Sequence, residues 1–128
     1  MDEFDKILVM VIDETLRYSL GGRTVEIFYE YLRRKGFSLS RIPRNPDIFF
    51  EELRNVLEFE DPGKRFRQVS SIGVVSILER AIIKVLCQKF GLEFNEKGPI
   101  VFSEWVKKVR EAYAMQFSKL KSSVGKGR

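Results

Sequence analysis

At 128 residues, with 44% hydrophobic and 12% aromatic residues, the chain has the size and apolar content of one folded domain, which argues against wholesale disorder. It has no histidine and one cysteine, Cys87, which excludes an intramolecular disulfide, a multi-cysteine zinc or iron–sulfur site and the usual proton shuttle near neutral pH. The net charge of +5 lies entirely at one end: residues 1–103 hold 16 basic and 16 acidic side chains, whereas residues 104–128 hold seven basic against two acidic.

The amino terminus, Met1-Asp2-Glu3-Phe4-Asp5, is acidic where a secretory signal is basic, and the longest apolar run is Ile7 to Ile12. Neither an export signal nor a membrane span is expected, and the lone cysteine suits the cytoplasm.

In chain order, Phe4, Ile7, Leu8, Val11 and Ile12 recur at helical spacing, predicting a helix from about Glu3 to Leu20 that stops at Gly21-Gly22. A second helix is predicted over about Arg23 to Lys35, with Val25, Phe28, Tyr29 and Leu32 on one side and the cations Arg33, Arg34 and Lys35 at its negative end. Ser38 to Pro43 is long enough only for a turn or a fragment of helix before the proline. Asn45-Pro46-Asp47 is a strong start signal for a third helix, about Pro46 to Glu58, carrying Phe49, Phe50, Leu53, Val56 and Leu57 inward.

Phe59 to Gln68 contains Pro62-Gly63 and reads as an exposed loop. The fourth helix, about Ser71 to Phe90, is apolar nearly throughout except for the stripe Gly73, Ser76, Arg80, Lys84 and Gln88, so it belongs at the centre. Leu92 to Phe102 reads as a loop or a short hairpin. The last helix is predicted over Ser103 to about Ser122, with Trp105, Val106, Val109, Tyr113, Phe117 and Leu120 along one side. The expectation is an all-α fold, about five helices in a compact orthogonal bundle over residues 1–121, followed by a flexible basic tail at 122–128.

No residue set suits nucleophilic or metal catalysis, so no catalytic residue, metal or cofactor is expected. Gly63-Lys64-Arg65 and Gly125-Lys126-Gly127 lack the upstream glycine of a phosphate-binding loop, since Glu58 and Leu120 stand there. The carboxylate pairs Asp13 with Glu14, Glu51 with Glu52 and Glu93 with Glu96 read as solvated helix faces paired with nearby cations. Glu79 borders the apolar surface of the fourth helix and suits a structural ion pair with an arginine or a bond to a backbone donor. Cys87 has no histidine to activate it and reads as a packing residue.

The candidates for anion or nucleic-acid contact are Lys107, Lys108, Arg110, Lys119, Lys121, Lys126 and Arg128. Trp105, Val109, Tyr113 and Phe117 lie on another side of the same helix and are candidates for packing on the body or for self-association with a second copy.

One stretch carries a family likeness. Leu16 with Gly21, Val25 to Leu32, Gly36-Phe37, Ile42-Pro43, Asn45-Pro46-Asp47 and Phe50 to Leu53 are followed by Ile77 to Lys84 and Phe90-Gly91-Leu92. Their order resembles the Nitrosopumilus output domain family, small archaeal helical domains found alone or attached to signalling modules. The segment from Phe59 to Ser71 is longer than that family's glycine turn, and residues after Leu92 fall outside the likeness. The resemblance implies a helical interaction or signalling-output module and transfers no catalytic residue. The expected function is therefore a non-enzymatic interaction module with a protein partner or a homodimer and no membrane. The alternative is a nucleic-acid-binding regulator, winged-helix-like if residues 92–102 form a hairpin, or acting through the basic tail.

Overall fold

The computed structural model of the chain describes residues 2–57, 73–95, 97 and 100–126, with side chains described as far as Gln116. Among the described residues there are five α-helices and no strand: α1 (Glu3–Leu20), α2 (Gly22–Arg34), α3 (Pro46–Leu57), α4 (Val74–Lys89) and α5 (Phe102–Lys126), with a 3-10 turn at Leu39–Arg41. The all-α expectation holds, and the open choice for residues 92–102 resolves to a loop over its described residues.

Start and stop signals act locally as chain chemistry dictates. The Asp2 side chain accepts from the Asp5 amide at 2.8 Å and caps α1, a contribution of about 1 kcal/mol for such a cap. At the other end Gly21 adopts φ +88°, a conformation costly for any residue with a Cβ. Its N–H donates to the Arg17 carbonyl while its own carbonyl accepts from the Val25 N–H. A single glycine thus closes α1 and opens α2, so α2 begins at Gly22, one residue before the expected start.

Other boundaries shift for similar reasons. The third helix begins at Pro46 as expected; Glu58 and the segment expected as a loop, Phe59 to Gln68, lie outside the described residues. So does Ser71, the expected start of the fourth helix. The fifth helix is longer than expected and runs to Lys126, so residues 122–126, expected to begin a flexible tail, have helical backbone.

Helix α4 packs against α1, α3 and α5, which accounts for its nearly continuous apolar sequence. Val75, Leu78, Ile82, Ile83 and Leu86 are buried, but Ile77 departs from that pattern and is 66% exposed. Aromatic rings carry the core from one side to the other: Phe28 meets Phe49 at 5.4 Å, Phe49 meets Phe50 at 5.1 Å, and Phe50 meets Phe102 of α5 at 4.6 Å. Each fully buried phenylalanine contributes about 1.5–3 kcal/mol relative to exposure. A second ring cluster joins Phe4 of α1 to Phe90 and Tyr113, clasping the end of α4 between α1 and α5.

The contacts also set the relative direction of α4 and α5. Phe90, just past α4, meets Tyr113, and the Gln116 side chain donates to the Phe90 carbonyl at 2.5 Å. Ten residues earlier, Arg80 reaches Phe94, which meets Trp105. Both helices therefore advance in the same sense, and the connector after Gly91 must travel back along them. Gly91, at φ +71°, begins that reversal.

Candidate functional site

Several charged residues of α1 to α3 form networks with one another. Asp13 of α1 accepts from Arg17 Nε at 3.0 Å and from the Tyr29 hydroxyl at 2.7 Å, and Arg17 also reaches Glu26 at 2.6 Å. Burial first, then the bond to Asp13, pushes the Tyr29 phenol well above its ordinary pKa. The bonds to Glu26 and then Asp13 raise that of Arg17. A comparable set joins α2 to α3: the Tyr31 hydroxyl donates to Glu52 at 2.8 Å and Lys35 reaches Glu52 at 3.3 Å. Burial pushes the Glu52 carboxyl upward, but the bonds from Tyr31 and Lys35 outweigh it and hold the group below the ordinary carboxylate range.

The carboxylates Asp13, Glu51 and Glu52 therefore have structural cations beside them, as expected, while Glu14 and Glu93 are exposed and Glu96 lies outside the described residues. Glu79 is buried and accepts from Arg54 of α3 at 3.0 Å, the ion pair expected at that position. Cys87 is buried in the core, and burial raises its thiol pKa while the nearby Lys108 charge lowers it. An open hollow of about 450 Å³ beside Met10, Asp13, Tyr29 and Leu39 has the Asp13 network on its wall, where the polar atoms already bond one another.

Helix α5 distributes its candidate residues among several roles. Val109 is fully buried in this chain's own core, Trp105 packs on Phe94, and Tyr113 packs on Phe4 and Phe90. The side of α5 offered for self-association is thus covered by the chain itself as far as Tyr113, and the Phe117 side chain lies outside the described residues. Arg110 is committed internally: it reaches Asp5 at 2.7 Å and Asp2 at 3.5 Å, and its guanidinium lies 4.6 Å from the centre of the Phe4 ring. It holds α5 on the amino-terminal end of α1. Lys107 and Lys108 are exposed. Nothing is described of the side chains of Lys119, Lys121 and Lys126, and Arg128 lies outside the described residues.

One arrangement was not legible in the sequence. The Arg80 guanidinium lies 5.3 Å from the centre of the Phe94 ring, Phe94 meets Trp105 edge-on at 4.9 Å, and the Lys108 ammonium lies 4.3 Å from the Trp105 ring centre. Two cations from different helices bracket an aromatic pair whose first member comes from the connector. One turn back from Arg80 on α4 stands Ile77, 66% exposed, and just before α5 stands Val101, 51% exposed; one turn on from Arg80 stands the exposed Lys84. Lys84, Lys107 and Lys108 form no ion pair with a described residue. The stripe Ser76, Arg80, Lys84 and Gln88 pointed toward this surface, but only folding brings Phe94 and Trp105 beside it.

No family model, curated protein or solved structure matches the chain. Among the described residues no group of His, Cys, Asp or Glu side chains is placed to hold a metal ion, and no helix is long and apolar enough to cross a membrane.

Proposed function

We propose that the chain is a non-enzymatic helical interaction module of the signalling-output kind, which binds a protein partner through the outer surface of α4 and α5. One observation carries this reading: cations from both helices gather around the Phe94–Trp105 pair beside exposed Ile77 and Val101, a mixture of ring, aliphatic and charge typical of protein recognition surfaces. The likeness to the Nitrosopumilus output domain family supports the same class. The residues that carry it run from the end of α1 to just past α4, with most of α1 before them and α5 beyond. A second copy of the chain is one partner this reading admits.

The nucleic-acid alternative draws on the exposed Lys107 and Lys108. Helical spacing sets these two about 100° apart around α5, which spreads rather than concentrates their charge. Arg110, the third cation of that group, is engaged with Asp5 and Phe4.

The test places a photo-reactive side chain at Lys84 and, as a control, at the exposed Glu14, in cells expressing the full chain. Protein adducts well in excess at Lys84 are expected, with light scattering of the purified chain separating self-association from a different partner. Equal yields at the two positions, or adducts removed by nuclease, would overturn the proposal.

A further inference from the structure

Helix α5 outruns the helices that hold it. Tyr113 packs on Phe4, in the first turn of α1, and Gln116 donates to the carbonyl of Phe90, one residue past the end of α4. The helical backbone of α5 nevertheless continues to Lys126. At 1.5 Å per residue, positions 117–126 advance about 15 Å past the start of α1 and the end of α4. In the sequence, Phe117, Leu120 and Val124 keep the spacing of Val106, Val109 and Tyr113, so the apolar register runs on beyond the body that covers Val106 and Val109. The same stretch includes Ser122, Ser123 and Gly125, poor helix formers, so packing rather than propensity must sustain its helix. Its charge points to what packs there. After Glu111 the chain has Lys119, Lys121, Lys126 and Arg128 and no acid. The shoulder from which the stretch departs has the opposite sign at its surface: Asp2 and Glu3 are exposed at the start of α1, and Glu3 forms no ion pair with a described residue.

We propose that positions 117–126 pair antiparallel with the same stretch of a second copy of this chain. Such pairing sets the Phe117 turn of one copy against the Val124 turn of the other, an isologous contact closed by a two-fold axis near Leu120. It also carries each cationic end back to the acidic shoulder of the other copy, whereas parallel pairing would lay the two cationic ends side by side. With about ten residues from each copy the interface is small, so a dissociation constant of about 10–100 μM is expected. The dimer is independent of the Phe94–Trp105 surface, which lies toward the other end of α5, and it would present two copies of that surface.

Sedimentation velocity of the full chain, from about 5 μM to about 1 mM, is expected to pass from monomer to dimer. Phe117→Ser with Leu120→Ser is expected to weaken association at least about tenfold and to leave the thermal midpoint of the dilute chain unchanged. Glu3→Lys is expected to weaken association several-fold, and added salt to act in the same direction. Because Cys87 is the only cysteine and is buried, one added cysteine can be addressed by itself. A short bismaleimide is expected to link Lys121→Cys, near the two-fold axis, but not Lys126→Cys, whose two copies lie about 17 Å apart along the pair. Equal linking at both positions would overturn the antiparallel arrangement. A chain that stays monomeric throughout, or a dimer indifferent to the serine changes, would overturn the proposal. A large fall in the thermal midpoint on those changes would overturn it in favour of packing within one chain. Adduct formation at Lys84 reports the other surface, so the interaction-module reading stands or falls separately.

Discussion

Helices α1 to α3 and helices α4 and α5 use charge in opposite ways. In the first region, cations lie against carboxylates of the same unit: Arg17 on Asp13 and Glu26, Arg33 and Arg34 on Glu30, Lys35 on Glu52. Among the described residues no ion pair joins α4 to α5, and Arg80 and Lys108 each lie against an aromatic ring. Among the described residues, the pairs these helices make, Arg54–Glu79 and Arg110 with Asp5 and Asp2, tie them back to α3 and to the start of α1. Much of the charge in the first region is thus neutralised in holding helices together, whereas the exposed Lys84, Lys107 and Lys108 of the second form no ion pair with a described residue. The difference teaches where recognition can reside: an anion approaching Arg33 or Lys35 must displace a carboxylate, whereas one approaching Lys84 meets no carboxylate of a described residue in an ion pair with it.

Substitutions that strike the shared core should abolish the distinction. Phe50→Ala removes the ring between Phe49 and Phe102, so both regions lose stability together, by about 3–5 kcal/mol in chemical denaturation. Arg54→Leu leaves the buried Glu79 carboxylate without its arginine and is expected to cost about 2 kcal/mol, reduced from the value for a deep pair because Arg54 is partly exposed. The double change with Glu79→Leu should recover part of that loss, a coupling that a double-mutant cycle reads.

Arg110→Met keeps cover over Phe4 but loses the bonds to Asp5 and Asp2, an expected cost of about 1 kcal/mol read by urea unfolding. Acid sharpens the contrast through Glu52. Its folded pKa lies below the ordinary 4.5, so its contribution to stability is present above that pH and is lost as pH falls through the folded value. Unfolding midpoints measured against pH should therefore drop more steeply for the natural chain than for Glu52→Gln. The raised phenols of Tyr29 and Tyr31 work in the other direction, with stability present below the ordinary value of 10 and lost at higher pH. The smallest effect is expected on the displayed surface: Lys84→Glu should shift the thermal midpoint by less than about 2 °C. A large destabilisation there would show that Lys84 is structural and would erase the contrast between the regions.

Helical spacing, caps and glycine stops are local physics. They place α1 from Glu3 to Leu20, begin α3 at Pro46 and mark α4 as the central element, because an apolar side chain recurring at 3.6 residues needs a neighbour wherever it points. The Glu79 ion pair was likewise legible, since a carboxylate on an otherwise apolar helix side requires a cation. Arg110 was less legible: it stood among basic residues that looked alike, and its bond to Asp5 spans most of the chain.

The sequence by itself determined that this is a helical protein, where most of its helices begin and end, and which side chains form the interior. Tertiary structure alone decided which charges are consumed and which are displayed. Helices α4 and α5 run in the same direction, so the connector must double back, and in doing so it sets Phe94 between Arg80 and Trp105. Periodicity describes one helix at a time; the meeting of two helices and a loop depends on packing directions that no single repeat contains.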